Sequence, residues 1–575
     1  MTSARLLSGA LLVLTLLVTS SEAGTAGAPK VDDALLSAMQ RELQRAGAEL
    51  GKLDPAPYYT SYAVYDQEGA IVVGNLGSLV NSTHVHHRTG QVSMRVGSRA
   101  LDNTHGQNRF SGMSSGALPL HDDPDAIARV LWELTYGEYR KASKAYLNVK
   151  TATAVRTAEE DTSPDFSEEK SQSHIDNTVL PFHLEQKAWE EKIRKYSANF
   201  RKYPEIQNSA VMLLAQQTEL FSVASDGSRV VTPKAVARLM IQAEGQADDG
   251  MSLLRVETFQ AAEPDRLPGE TEIAARIAVM AADLKKLRAA PLAEPFNGPA
   301  LLSGRAAAVF FHEVLGHRLE GHRQRGDEEG QTFTKKVGQS VLPTFLSVVD
   351  DPTLASLGGT DLSGWYNYDD EGMPAQKVEV IKDGVLKSFL MSRLPVKDFA
   401  NSNGHGRGQA GLMPTGRQGN LIVSSSKTIK DADLRQKLID EIKKQNKPYG
   451  LYFEDIEGGF TLTTRNLPQA FQVLPVMVWK VYPDGRPDEL VRGVDIVGTP
   501  LAALTSIELT GDHPAVFNGI CGAESGDVPV SAVAPAMLFS AMEVQKRTHD
   551  RVKPPLLPPP GFEDSGAPAK SGGAE

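Results

Sequence analysis

A single cysteine, Cys521, stands in a chain of 575 residues. No disulfide can close within the chain, so stability must come from packed cores. A basic block is equally absent: 60 Lys and Arg face 71 Asp and Glu, for a net charge of -11. That balance offers no electrostatic footprint for nucleic acid or anionic lipid. Past the first residues there is no long apolar run, and no repeat at solenoid periods. What remains, 41% hydrophobic and 23% charged, is an ordinary globular composition, long enough for two or more domains.

The one apolar run, Leu6 to Val18, follows Arg5 and ends in small residues. It is short for a bilayer span of about 20 residues. The "SEA" before Gly24 fits cleavage after Ala23. The expectation is a signal peptide over residues 1–23 and a periplasmic or secreted protein with no membrane span once that peptide is removed. Export normally favours disulfides, so the lone thiol is either inert and buried or chemically employed.

Helical stripes appear in "DDALLSAMQRELQRAGAEL", in the segment capped by Asp123 with Pro124 at its first position, and from Gly269 to Ala290. Strand patterns run through "YYTSYAVYD" and "AIVVG", with "QEG" expected as the turn between them. Asp-Gly pairs at Asp226–Gly227 and Asp383–Gly384, and Pro483-Asp484-Gly485, mark hairpins. Three prolines in "AAPLAEPFNGPALL" break the pattern near residue 292. The layout predicts an α+β fold: a mixed α/β N-terminal domain over 31–291, a strand-rich C-terminal domain over 292–552, and a disordered Pro- and Gly-rich tail over 553–575.

The chemistry gathers in "AAAVFFHEVLGHRLEGHRQRG", on a helix expected to start at Ser303. His312 and His317 are five apart, roughly 140° around an ideal helix, and cannot share an ion unless the helix widens. A π-type turn at Gly316 would bring them together. Glu313 would then lie beside a metal without ligating it, the position of a general base. Zinc suits two imidazoles, one further ligand and an open position. For that third ligand the sequence offers Glu320 and His322 nearby, and His405 and Cys521 at a distance, with Cys521 expected in a glycine-flanked loop. His405 and Arg407, in the Gly-rich "NSNGHGRGQ", are candidates to reach a peptide carbonyl or its oxyanion. "HVHH" at residues 84–87 reads as strand-surface histidines, and Glu371 as part of a cavity wall or a hairpin entry.

"FFHEVLGHRLEG" resembles the HExxxH signature of the TldD/PmbA family, in its catalytic TldD-like branch. Three further stretches agree in order: "YDDEGMPAQKVEVIKDGVLKSFLMSR", "SNGHGRG" and "NGICGAESGDVPVSAVAPAMLF". The resemblance implies a metallopeptidase holding one divalent ion per subunit, zinc first, through His312, His317 and Cys521, with Glu313 as base. It implies a two-domain subunit forming a homodimer, or a heterodimer with a PmbA-like partner, around a cavity that admits unfolded or short peptides. Those peptides would pair by their backbone with a strand. His322 departs from the family, whose members commonly carry an acid there. The rival expectations are a non-catalytic, metal-stabilised scaffold subunit and an amidase acting on cell-wall peptides.

Overall fold

Two antiparallel-rich sheets carry the chain. In a computed structural model, residues 33–153, 161–176, 178, 180, 184–325, 331–463 and 470–547 are described; the expected signal peptide and tail lie outside them. Among these residues no helix is long and apolar enough to cross a membrane.

The first sheet has eight strands. Its centre is five antiparallel strands, β1 (Pro57–Asn75), β2 (Ser78–Ser98), β3 (Asn208–Ala224), β4 (Arg229–Gln246) and β5 (Ser252–Ala261), in the spatial order β2-β1-β3-β4-β5. Four helices, α1 (Asp33–Leu50), α2 (Pro124–Thr153), α3 (Gln186–Ala198) and α4 (Glu270–Ala289), pack apolar stripes onto it. The α2 cap is as the sequence predicts: Asp123 Oδ1 accepts from the amides of Asp125 and Ala126 at 3.0 and 3.2 Å.

The turn expected at Gln67-Glu68-Gly69 does not form. β1 runs straight through it, paired with β2 on one side and β3 on the other. Bonded neighbours on both sides hold the backbone extended. Gly69 serves close approach rather than reversal, since a Cβ there would strike the carbonyl of Ala215. The Asp226–Gly227 and Asp383–Gly384 reversals do form; Asp383 and Gly384 both have positive φ, 46° and 79°.

The second sheet has eleven strands, and five of them close into a ring. β6 (Phe296–Leu302) pairs with β7 (Gly450–Thr461), β7 with β8 (Phe471–Val481), and β8 with the segment Val494–Gly498. That segment pairs with the long strand β10 (Gly526–Lys546), which pairs back with β6. β9 (Ile507–Ala523) lies beside β10 as its hairpin partner. The expected division at residue 292 falls between α4 and β6.

The helix α5 (Gly304–Val314) packs on β7, β9 and β10 and has no exposed face: every residue from Ala306 to Val314 is buried. Such a helix can exist only inside a core. Phe310 meets Phe471 and Phe539 edge-on at 5.7 and 5.3 Å between centroids, anchoring it to opposite parts of the ring.

One buried acid in the first half is a test of this packing. Glu138, on the core face of α2, accepts from Ser114 Oγ at 2.5 Å, while its Oε1 has no hydrogen-bond partner. Burial pushes its carboxyl up to about 7, against the pull of Ser114 and Lys141. Between the ordinary value near 4.5 and 7 the native state therefore binds more protons than the unfolded chain, and stability falls as pH rises through that window. Glu138→Gln should remove the fall: by urea unfolding, wild type should lose roughly 2 kcal/mol more than the variant between about pH 5 and pH 8.

Candidate metal centre

The centre is built at the C-terminal end of α5. Ser303 Oγ caps the other end, accepting from the Ala306 amide at 3.1 Å, as the sequence predicts. The widened π-type turn does not occur. The helix stops at Val314, Leu315 departs to φ -108°, and a tight 3-10 turn follows over Gly316–Leu319. The cause is crowding: Gly316 lies so close to the amide of Gln418 that a Cβ would collide with it. Gln418 Nε2 in turn approaches the carbonyl of His312 at 3.4 Å. The break swings the second ring back, and the His312 and His317 rings lie 5.0 Å apart at 74°.

Cys521 joins them from a strand, not from the glycine-flanked loop expected of it. It sits on β9 opposite Val528 of β10, two residues before that strand ends. Its Sγ lies 3.4 Å from His317 Nε2. Donor atoms of His312, His317 and Cys521 all fall within 4.8 Å of one another, and all three residues are buried. Burial alone would raise the Cys521 thiol, but His317 and His312 beside it hold it well below its ordinary value. The same sulfur, with Glu320, draws His317 well above its usual range despite burial.

The two local alternatives for a third ligand are engaged elsewhere. Glu320 Oε1 accepts from His317 Nδ1 at 3.2 Å, its Oε2 accepts from Arg323 Nε at 2.7 Å, and Arg417 Nε stands 3.4 Å away. These cations hold Glu320 down to about 2 although burial opposes them. His322 bonds to Glu524, which also accepts from Arg323 Nη2 at 2.9 Å. Arg417 closes the circuit by donating to the Cys521 carbonyl at 2.7 Å and to Ser525 Oγ at 2.8 Å. The carboxylate on His317 Nδ1 fixes that ring with Nε2 toward the sulfur, an arrangement typical of histidine ligands.

Glu313 is beside the cluster but outside it. Its Oε2 lies 3.9 Å from His317 Nε2, and burial raises its carboxyl against the pull of both histidines. Gly459 packs against it: a Cβ there would come within 2.9 Å of Glu313 Cγ. The cluster, Glu313 and residues Glu457–Thr461 of β7 line a cleft of about 360 Å³. Three bulges in the β7–β8 ladder, between Phe453 and Gly458, turn that end of β7 toward it.

The donor set fits a borderline divalent cation. Two imidazoles converge with a sulfur whose thiol they draw well below its ordinary value, and His312 Nδ1 is buried with no hydrogen-bond partner. Thiolate with imidazole is a zinc-type combination.

Other candidates lie apart. His405 is fully buried, with Nε2 3.2 Å from Asp350 and Nδ1 on Asn403. Arg407 donates to the Gln418 carbonyl and stacks on Tyr366 at 4.8 Å. Neither lines the cleft, because both are spent holding the loop that presents Gln418. Glu371 is likewise absent from the cleft wall and accepts from the Arg393 amide at 2.7 Å. His84 and His86 lie on β2, facing Glu68 and Asp66 at 3.3 and 2.9 Å. Sequence reasoning passed over Arg318, Arg323, Arg417 and Glu524. The signal was present in Arg318 and Arg323, charged residues close behind the apolar run over residues 306–311, since charges drawn into a core must find buried partners.

Residues 296–546 match the PmbA/TldA metallopeptidase C-terminal domain. Among curated relatives, a metalloprotease of Archaeoglobus fulgidus is 28% identical over 242 residues, covering 42% of this chain and 51% of that protein. A metalloprotease TldD homolog of Buchnera aphidicola is 27% identical over 250 residues, covering 43% and 47%. A zinc metalloprotease TldD homolog of Saccharolobus solfataricus is 25% identical over 249 residues, covering 43% and 51%. The chain thus spans about half the length of the curated relatives it matches. The crystal structure of TldE from Thermococcus kodakarensis shares the fold, with a TM-score of 0.60 at 12% identity, covering 88% of this chain and all of that one.

Two substitutions probe the centre without reference to activity. Cys521→Ser should lower zinc affinity by roughly tenfold or more in chelator competition, and Glu320→Gln should do the same through His317, as loss of a ligand's carboxylate partner commonly costs about 10–100-fold. Unchanged affinity in both would dissociate this cluster from metal binding.

Proposed function

From the premise that the chain belongs to the TldD/PmbA family, we propose that it is a metal-dependent peptidase acting on unfolded or short peptides. The observation that carries this reading is one carboxylate, Glu313, buried beside a three-donor cluster yet facing an open cleft. A purely structural zinc site is normally closed by four protein ligands and has no use for such a neighbour. That argues against the scaffold alternative.

His312, His317 and Cys521 would hold one divalent ion, zinc first, which supplies Lewis acidity toward a water and a scissile carbonyl. Glu313 takes the proton from the attacking water and returns it to the leaving amine. Its burial favours this work, because a base nearer neutrality accepts and releases a proton more readily. His317 is kept in register by Glu320, and Cys521 by the Arg417 contact to its carbonyl.

The substrate would lie along β7. From Glu457 to Thr461 this strand is paired with β8 on one side, and its other edge has no strand partner among the described residues. An extended peptide adding there would be held by its backbone, which makes recognition tolerant of sequence. Export to the periplasm or medium, and assembly as a homodimer or with a PmbA-like subunit around the cavity, complete the proposal.

Glu313→Gln should keep the bound metal while lowering hydrolysis of an unfolded polypeptide by about 10³-fold, within the range for loss of a general base. Full activity in that variant would overturn the assignment. Assaying wild type on cell-wall peptide fragments in parallel identifies an amidase, should only those be cleaved.

A further inference from the structure

Arg318 sits one residue past His317 and is buried, with 2% of its surface exposed. Among the described residues its guanidinium touches no carboxylate at ion-pair distance. Instead it reaches four backbone carbonyls. Nη1 donates to Glu313 O at 3.3 Å and Val314 O at 3.1 Å, in the last turn of α5. Nη2 donates to Leu462 O at 3.4 Å and Ala470 O at 3.2 Å. Those two residues follow β7 and precede β8, and Ala470 O also accepts the Leu462 amide, the bond next beyond the Thr461–Phe471 pair.

One planar side chain therefore spans both walls of the cleft. On one side is the helix turn that carries Glu313. On the other is the strand end whose Gly459 packs on the Glu313 side chain. Neither wall is fixed to the other there by a strand ladder, because β7 leaves β6 after Phe453. Five donors in a rigid fork suit four divergent carbonyls in a way that a lysine ammonium does not.

We infer that Arg318 is a positioning residue, setting the distance between the Glu313 turn and the β7 edge. It makes no contact with the reacting atoms. The inference deepens the peptidase reading and rests on it for its kinetic arm alone.

The test uses the full chain and the variants Arg318→Lys, Gly459→Ala and their combination. Amide hydrogen exchange reads the two walls directly, with or without metal. Arg318→Lys should speed exchange about tenfold in both residues 308–315 and residues 458–463, leaving the first sheet unaffected. Kinetically it should lower kcat by about tenfold to a hundredfold with KM and zinc content near wild type, the cost of a small misplacement. Gly459→Ala, which pushes Glu313 from the other wall, should lower kcat too. The double variant should fall short of the product of the two single effects. Faster exchange in one wall only, a wild-type kcat in Arg318→Lys, or fully multiplicative losses would overturn the inference. If wild type hydrolyses no peptide, the peptidase reading falls, and the exchange pattern still decides the role of Arg318.

Discussion

A helix end buried inside a sheet must satisfy its last carbonyls without water, and that requirement organises this centre. α5 has no exposed face, so the carbonyls of His312, Glu313 and Val314 are orphans unless other groups reach them. Gln418 approaches the first and Arg318 takes the other two. The groups that solve the backbone problem thereby fix the two residues with the most chemistry. A surface helix with the same motif would leave those carbonyls to solvent, and the Glu313 turn would not be tied to anything opposite it.

The charges around the cluster follow a different economy. Glu320 and Glu524 are set against Arg323, Arg417 and His322, nearly all of them buried. Burying such groups is costly, and their mutual attraction repays it only when the geometry is good and remaining donors are satisfied. A stability role is therefore a weak explanation of the network. Its geometry offers a better one. Arg323 bridges the motif to the β9–β10 hairpin through Glu524, and Arg417 bridges the same parts through Glu320 and the Cys521 carbonyl. Two parallel links set the sulfur against the His317 ring.

What could be read from the sequence was whatever depended on neighbours along the chain. The Ser303 cap, the Asp123 cap and the Asp-Gly reversals are local, and they form as expected. The family likeness also rested on contiguous stretches. The misses share a non-local cause. Gln67-Glu68-Gly69 has turn composition, yet strands from distant segments hold it straight. The histidine spacing demanded a change in helix geometry, but its form was set by Gln418, about a hundred residues on, which admits only glycine at 316. By sequence His405 and Arg407, in a Gly-rich loop, are candidates to reach a peptide carbonyl or its oxyanion. Asp350, Tyr366 and the Gln418 carbonyl bury them instead.

The first sheet is not a passive neighbour of this arrangement. Residues 161–176 run from its side across the second half. Asp165 accepts from Arg325 Nη2 at 2.7 Å and pairs with His105 Nδ1 at 2.8 Å. Arg325 directly follows the turn that carries His322 and Arg323. A second post stands at Arg393, fully buried between Phe166 and Tyr59, donating to Tyr59 Oη at 3.0 Å while its amide donates to Glu371. The histidine turn is thus held from within by α5 and Arg318, from the hairpin by Arg323 and Arg417, and from the 161–176 segment by Asp165. Beyond Val314 the backbone makes only two short 3-10 turns and a bridge to Leu390, so these three directions add the side-chain anchorage that so few backbone bonds leave wanting.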